Sequence, residues 1–129
     1  MSVSDYAENK ILDAVFRHTT TGGGLPTANP YVALHTADPT DTGSGAEVTG
    51  GSYARQQAAF DAAASGATTN SAIIDHTGMP AVTVTHVGIW DASTAGNLLW
   101  SGARSGGGIV IGAGNTHRIA AGDLDVTLD

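Results

Sequence analysis

Cysteine is absent from the 129 residues, so neither a disulfide scaffold nor a thiolate metal site can be built. Lysine occurs once, at Lys10, and the other cations, Arg17, Arg55, Arg104 and Arg118, are scattered singly. A sequence-independent nucleic-acid binder needs clustered cations to displace phosphate counterions. Here 12 acidic residues face 5 basic ones, and the formal net charge is −7. That balance argues against nucleic acid as a partner, and against anionic membranes. Long apolar runs are missing too, and no stretch is long enough to span a bilayer. The opening MSVSDYAENK lacks the basic and apolar regions of a signal peptide.

What is present is small. There are 18 glycines, with abundant Ala, Ser and Thr, and only 13% of residues are charged. A surface with so few long charged side chains suits close packing against neighbours. The length fits a single domain, 1–129, able to bury about two-thirds of the surface its unfolded chain exposes. One segment has helical period. In SDYAENKILDAVFRH, Ile11, Leu12, Val15 and Phe16 share a stripe, Ser4 stands at the N-cap, and Asp13 can pair with Arg17. TTTGGGLPTANP then ends the helix with three glycines and two prolines. After it the period becomes that of strands: YVALHT, SYARQQAAF, SAIID, AVTVTHVGIWD, NLLWSGAR, GGIVIGAG and LDVTL. The expectation is a helix over 1–18, a Gly/Pro-rich linker over 19–30 and a β domain over 31–129. The fold class is mainly β, a jelly-roll or β-sandwich-like domain of roughly seven or eight strands with one N-terminal amphipathic helix. AVTVTHVGIWD and NLLWSGAR form its main hairpin, with a bulge near Gly88.

No chemical constellation emerges. The loop HTADPTDTGSGAEVTGG has Gly43 where a calcium loop starting at Asp38 would need it, but Thr40, Thr42 and Thr49 stand at positions that need oxygen-rich ligands. Asp38-Pro39 and the glycines read as turn chemistry instead. TGGGL and SGGGI lack the lysine of a phosphate loop. His18, His35, His76, His86 and His117 show no zinc spacing. TGSGA and WSGAR do not match a nucleophile elbow. Trp90 and Trp100, a candidate sugar platform, sit at strand ends where packing is the commoner use. The chain reads as non-enzymatic, with no cofactor and no metal.

The order of AENKILDAVF, YVALHTADPTDTG, GGSYARQ, VTHVGIWDASTAGNLLWSG and AAGDLDVTLD resembles small proteins of tailed bacteriophages labelled tail-fibre proteins. The resemblance implies a structural protein of the virion, assembled in the host cytoplasm. Low charge and many small residues place it first on the head, as an external capsid decoration (cement) protein. The alternative is a tail-fibre, tail-tip or baseplate subunit that attaches to the host, and a small sugar-binding β domain is the remote one. Expected partners are other copies, as a homotrimer, and the major capsid protein or tail proteins. Expected interface residues are Ile11, Leu12, Val15 and Phe16 on the helix, Asp38 and Asp41 in the acidic loop, and Tyr53 and Arg55 after it.

Overall fold

A computed structural model describes residues 4–17 and 28–128, without the side chains of residues 5–8 and 10. The expected linker, 19–30, lies outside the described residues except for Ala28, Asn29 and Pro30. The fold is mainly β, as the periodicity implies. Helix α1 (Asp5–Phe16) is followed by ten short strands: β1 (Tyr31–His35), β2 (Gln56–Gln57), β3 (Ala67–Thr69), β4 (Ile74–His76), β5 (Val82–Val84), β6 (His86–Trp90), β7 (Leu98–Ala103), β8 (Ile109–Ile111), β9 (His117–Ile119) and β10 (Asp125–Thr127). They form a four-stranded sheet, β2-β1-β6-β7, and three two-stranded ones, β10-β3, β4-β9 and β5-β8.

The chain divides into two compact units. The first takes the described part of Met1–Pro30 with Ala58–Ile74 and Ile119–Asp129. Leu12, Ala14 and Phe16 are buried there, and the Phe16 ring meets Phe60 at 5.5 Å. Burying Leu12 and Phe16 contributes about 1.5–3 kcal/mol each. The polar side of the helix is used as well. Asn9 Oδ1 accepts the Gly66 N–H and Asp13 Oδ1 accepts the Ala63 N–H, both at 2.8 Å. Asp13 and Arg17 also pair, at 3.6 Å. Buried Asn70 donates to Ala72 O and Ala120 O and accepts from Leu124 N–H, tying three stretches together.

The second unit, Tyr31–Gln57 with Asp75–Arg118, holds the four-stranded sheet. Val32, Leu34, Val87 and Ile89 alternate onto one buried face of β1 and β6. Two expected strands break. SYARQQAAF keeps strand form only at Gln56–Gln57, because Tyr53 turns back through its N–H to Gly50 O. AVTVTHVGIWD splits at Thr85, whose N–H bonds His35 O while its C=O accepts the Arg104 N–H. A residue in a regular strand directs both groups to one side. Thr85 therefore kinks the chain, and β5 leaves to pair with β8. The hairpin β6–β7 forms as expected, but its register shifts between Ile89 and Trp90. Gly88 itself stays in register, opposite Ser101, and must be bare: a Cβ there would lie 2.7 Å from His35 Nε2 and 3.0 Å from Trp90 Nε1. Strands β3 and β9 were not anticipated.

Candidate functional site

The acidic loop and the edge of β1 that it leaves form one connected cluster. The loop is closed at its base by Thr36 N–H to Ala46 O and Val48 N–H to Leu34 O. These bonds, with the bridge from His35 to Glu47, cover one end of the outer edge of β1. Strand β2 covers the other end, opposite Tyr31 and Val32. Between them the chain swings away, with Ser52 N–H bonded to Gly78 O. Gly51, at φ 57°, approaches Gly78 O so closely that a Cβ would collide with it.

That excursion leaves two groups of β1 without a strand partner, and side chains take their place. The Tyr53 hydroxyl accepts the Leu34 N–H at 3.0 Å. His76 Nε2–H donates to Val32 O at 2.9 Å. The two rings stack, with centroids 5.8 Å apart and planes 14° apart. Buried backbone groups need partners, and here a phenol and an imidazole supply them.

Tyr53 then passes the connection on. Its hydroxyl donates to Glu47 Oε2 at 2.9 Å. Arg55 grips the same carboxylate as a fork, Nε to Oε2 at 2.9 Å and Nη2 to Oε1 at 2.8 Å. Its Nη1 donates to Ala92 O and Ala95 O, and the guanidinium lies 4.0 Å from the centroid of Trp90. The Arg55 side chain is only 6% exposed. On the other side, His35 stacks against Trp90 and its Nδ1–H donates to Gly45 O at 3.2 Å.

The electrostatics follow from this packing. Burial pushes the Glu47 carboxyl up, but the hydrogen bonds from Arg55 and Tyr53 and the guanidinium charge outweigh it, so Glu47 titrates below the usual range. Burial raises the Tyr53 phenol, which stays protonated. Burial lowers His35 and His76, and brings His117 down to about 4. The His117 ring meets His76 edge-on at 6.2 Å. The protonated phenol, the imidazoles and the guanidinium make the hydrogen bonds that hold the loop and β1 together. Both oxygens of Glu47 accept hydrogen bonds, Oε1 from Arg55 and Oε2 from Arg55 and Tyr53. No group of three metal-ligating side chains occurs among the described residues. Trp90, packed between Arg55 and His35, offers no free face for a sugar.

The eight expected interface residues separate into three sets. Asp38 and Asp41 are exposed, and Asp38 Oδ1 accepts the Thr40 N–H at 2.8 Å, the turn chemistry the sequence implied. Tyr53 and Arg55 come together, but inward, in the cluster just described. On the helix, Ile11 is 45% exposed and Val15 partly so, whereas Leu12 and Phe16 are buried within their own chain and present no surface. Sequence reading did not join Glu47, His35 and His76 to Tyr53 and Arg55. Spacing gives one clue to the cluster: strand alternation in SYARQQAAF puts Tyr53, Arg55 and Gln57 on one face. It gives no sign of Glu47 as the common partner of Tyr53 and Arg55.

The family model described as podophage GP4 fiber I protein gp80 matches residues 2–127. No curated protein matches the chain. The chain belongs to this phage fibre protein family, and so to the components of a virion. No helix among the described residues is long and apolar enough to cross a membrane.

Proposed function

We propose that this chain is a non-enzymatic structural subunit of a phage fibre, carried on the tail rather than on the head. The observation that supports this most is the family match, which runs over residues 2–127 and names a fibre protein. It favours the tail-fibre alternative over the head-decoration reading that composition placed first. The cluster around Glu47 supports a structural role in its own way. Its Glu47, Arg55 and Tyr53 hydrogen bonds hold the Thr36–Arg55 excursion against the sheet, beneath an exposed acidic loop. Such a loop on a fixed scaffold suits recognition of another surface.

The test is to quantify the protein in purified virions against the major capsid protein, and to locate it by gold-labelled antibody. Copies far fewer than the capsid protein, with label on the tail, support the proposal. Copies in the hundreds with label over the head would overturn it and restore the decoration reading.

A further inference from the structure

We propose that β7 is the edge by which two copies of this chain pair, antiparallel, into one continuous sheet. The proposal stands on the sheet itself and does not depend on the fibre reading.

Strand β7 is the outer strand of the order β2-β1-β6-β7 and, with six residues, the longest among the described residues. Its outward groups follow from the ladder. Leu34 directs both N–H and C=O away from β6, to Tyr53 and Val48. Alternation then turns His86, Gly88 and Trp90 toward β1, and Val87 and Ile89 toward β7. Opposite these stand Gly102 and Trp100, so the backbone groups of Ser101 and Ala103 point out of the sheet. Among the described residues they have no hydrogen-bond partner.

An open edge of this length is a template for another strand, and proteins that stay monomeric blunt it with charge, proline or a covering segment. LLWSGA has neither charge nor proline. The other sheets expose edges of only three residues, too short to pair readily. The opposite edge of the same sheet is sealed group by group, through β2, Glu47, Tyr53 and His76. Steric access is good as well. Ser101, Gly102 and Ala103 are small, and Trp100 lies over Gly102, where a Cβ would strike its ring at 2.5 Å.

The charges at the two ends choose the occupant. Arg17, Arg55 and Arg118 each have a carboxylate partner. The side chain of Arg104, just beyond the C-terminal end of β7, donates among the described residues to the carbonyls of Ser105 and Gly107 and to no carboxylate. At the N-terminal end stands Asp91, fixed by Asn97 N–H and Nδ2 at 2.7 and 2.8 Å. Antiparallel self-pairing centred on Ser101 brings the Arg104 end of each copy toward the Asp91 end of the other. A second copy thus offers opposite charge at both ends and a neutral strand between, although each chain carries −7 overall.

The experiment uses the full chain. Sedimentation velocity over a concentration series should show a dimer or a larger species built on it. Ser101→Pro removes an outward donor at an edge position where proline is tolerated. It should halve the mass of the dimer while leaving the circular dichroism spectrum unchanged. Hydrogen exchange on the wild type is independent of whether that variant folds. The Ser101 and Ala103 amides should be protected at high concentration and released on dilution. A wild type that is monomeric throughout overturns the proposal. So does an oligomer in which these two amides exchange freely, or a folded Ser101→Pro variant that keeps the wild-type mass.

Discussion

Replacing Tyr53 with Phe removes one oxygen and leaves the ring stacked on His76. That oxygen has two tasks: it accepts the Leu34 N–H at 3.0 Å and donates to Glu47 at 2.9 Å. Leu34 is fully buried, so its N–H would lose its only partner among the described residues. An orphaned buried donor costs about 1–3 kcal/mol, and a hydrogen bond to a charged acceptor contributes about 1.5–3 kcal/mol. The two losses share one cluster and do not simply add. The forked grip of Arg55 still neutralises Glu47, so the expected loss is about 2–4 kcal/mol. For a chain of this size that corresponds to a fall in melting temperature of roughly 6–16 °C. Urea unfolding should give a lower midpoint with an unchanged slope, since the surface exposed on unfolding is the same. Hydrogen exchange at the Leu34 amide should accelerate in parallel. Tyr31→Phe is the control, expected to stay within about 0.5 kcal/mol. If Tyr53→Phe also stays within about 0.5 kcal/mol, the phenol does not seal the edge of β1 and the account of this cluster fails.

Acid should destabilise the fold through its buried histidines. His35, His76 and His117 all titrate below their unfolded value of 6.5, His117 at about 4. The unfolded chain therefore binds protons first. Stability is full above about pH 6.5 and falls as pH drops toward about 4, with His117 accounting for about 1–2 kcal/mol after partial solvent screening. His117→Gln should flatten that slope in denaturant titrations, and an unchanged slope would contradict it. Gly88→Ala should cost about 1–3 kcal/mol, because the added methyl meets the fixed edges of His35 and Trp90, and a neutral effect in thermal melts would show that they can move. Arg55→Lys keeps the charge but loses the fork and the planar stacking on Trp90. A loss of about 2–4 kcal/mol is expected, and retention of wild-type stability would reduce the pair to simple charge neutralisation. The melting temperature should be the same in chelator and in millimolar calcium, and a rise abolished by Asp38→Asn with Asp41→Asn would reveal a metal site.

Periodicity carried the parts of this fold that depend on neighbours in sequence. The helix was legible because Leu12 and Phe16 recur at helical spacing, and both are buried. The β6–β7 hairpin was legible because β-branched and aromatic residues flank a short polar turn. Strands β3 and β9 were not, since ATT and HRI are too short for alternation to stand out from loop composition. The apolar stripe does not itself say what the helix packs on; Asn9 and Asp13 help to dock it on its own chain by accepting backbone N–H groups 57 and 50 residues away. No local pattern announces bonds of that range. The same holds for His76, whose partner on β1 lies 44 residues earlier. Tyr53 and Arg55 were singled out for their spacing, yet their shared partner comes from the loop itself, and only the fold shows that they face inward.

The cluster also separates what the acidic loop must keep from what it can change. The Thr36–Ala46 and Val48–Leu34 bonds are made by backbone, and the clamp below them by Glu47, Arg55, Tyr53 and Trp90. Within the tip, residues 37–45, few positions contribute to that base. Gly43 is one, because a Cβ there would strike the Trp90 ring at 2.5 Å. Gly45 is another through its carbonyl, which takes the His35 N–H, although its side-chain position faces open space. Asp38 and Thr42 lose only local bonds to Thr40 when replaced, and Asp41 and Ser44 are exposed, so each change is an effect on the order of 1 kcal/mol or less. The loop can therefore alter its charge and chemistry while β1 stays sealed beneath it, which is the physical condition for a recognition surface to vary on a constant scaffold.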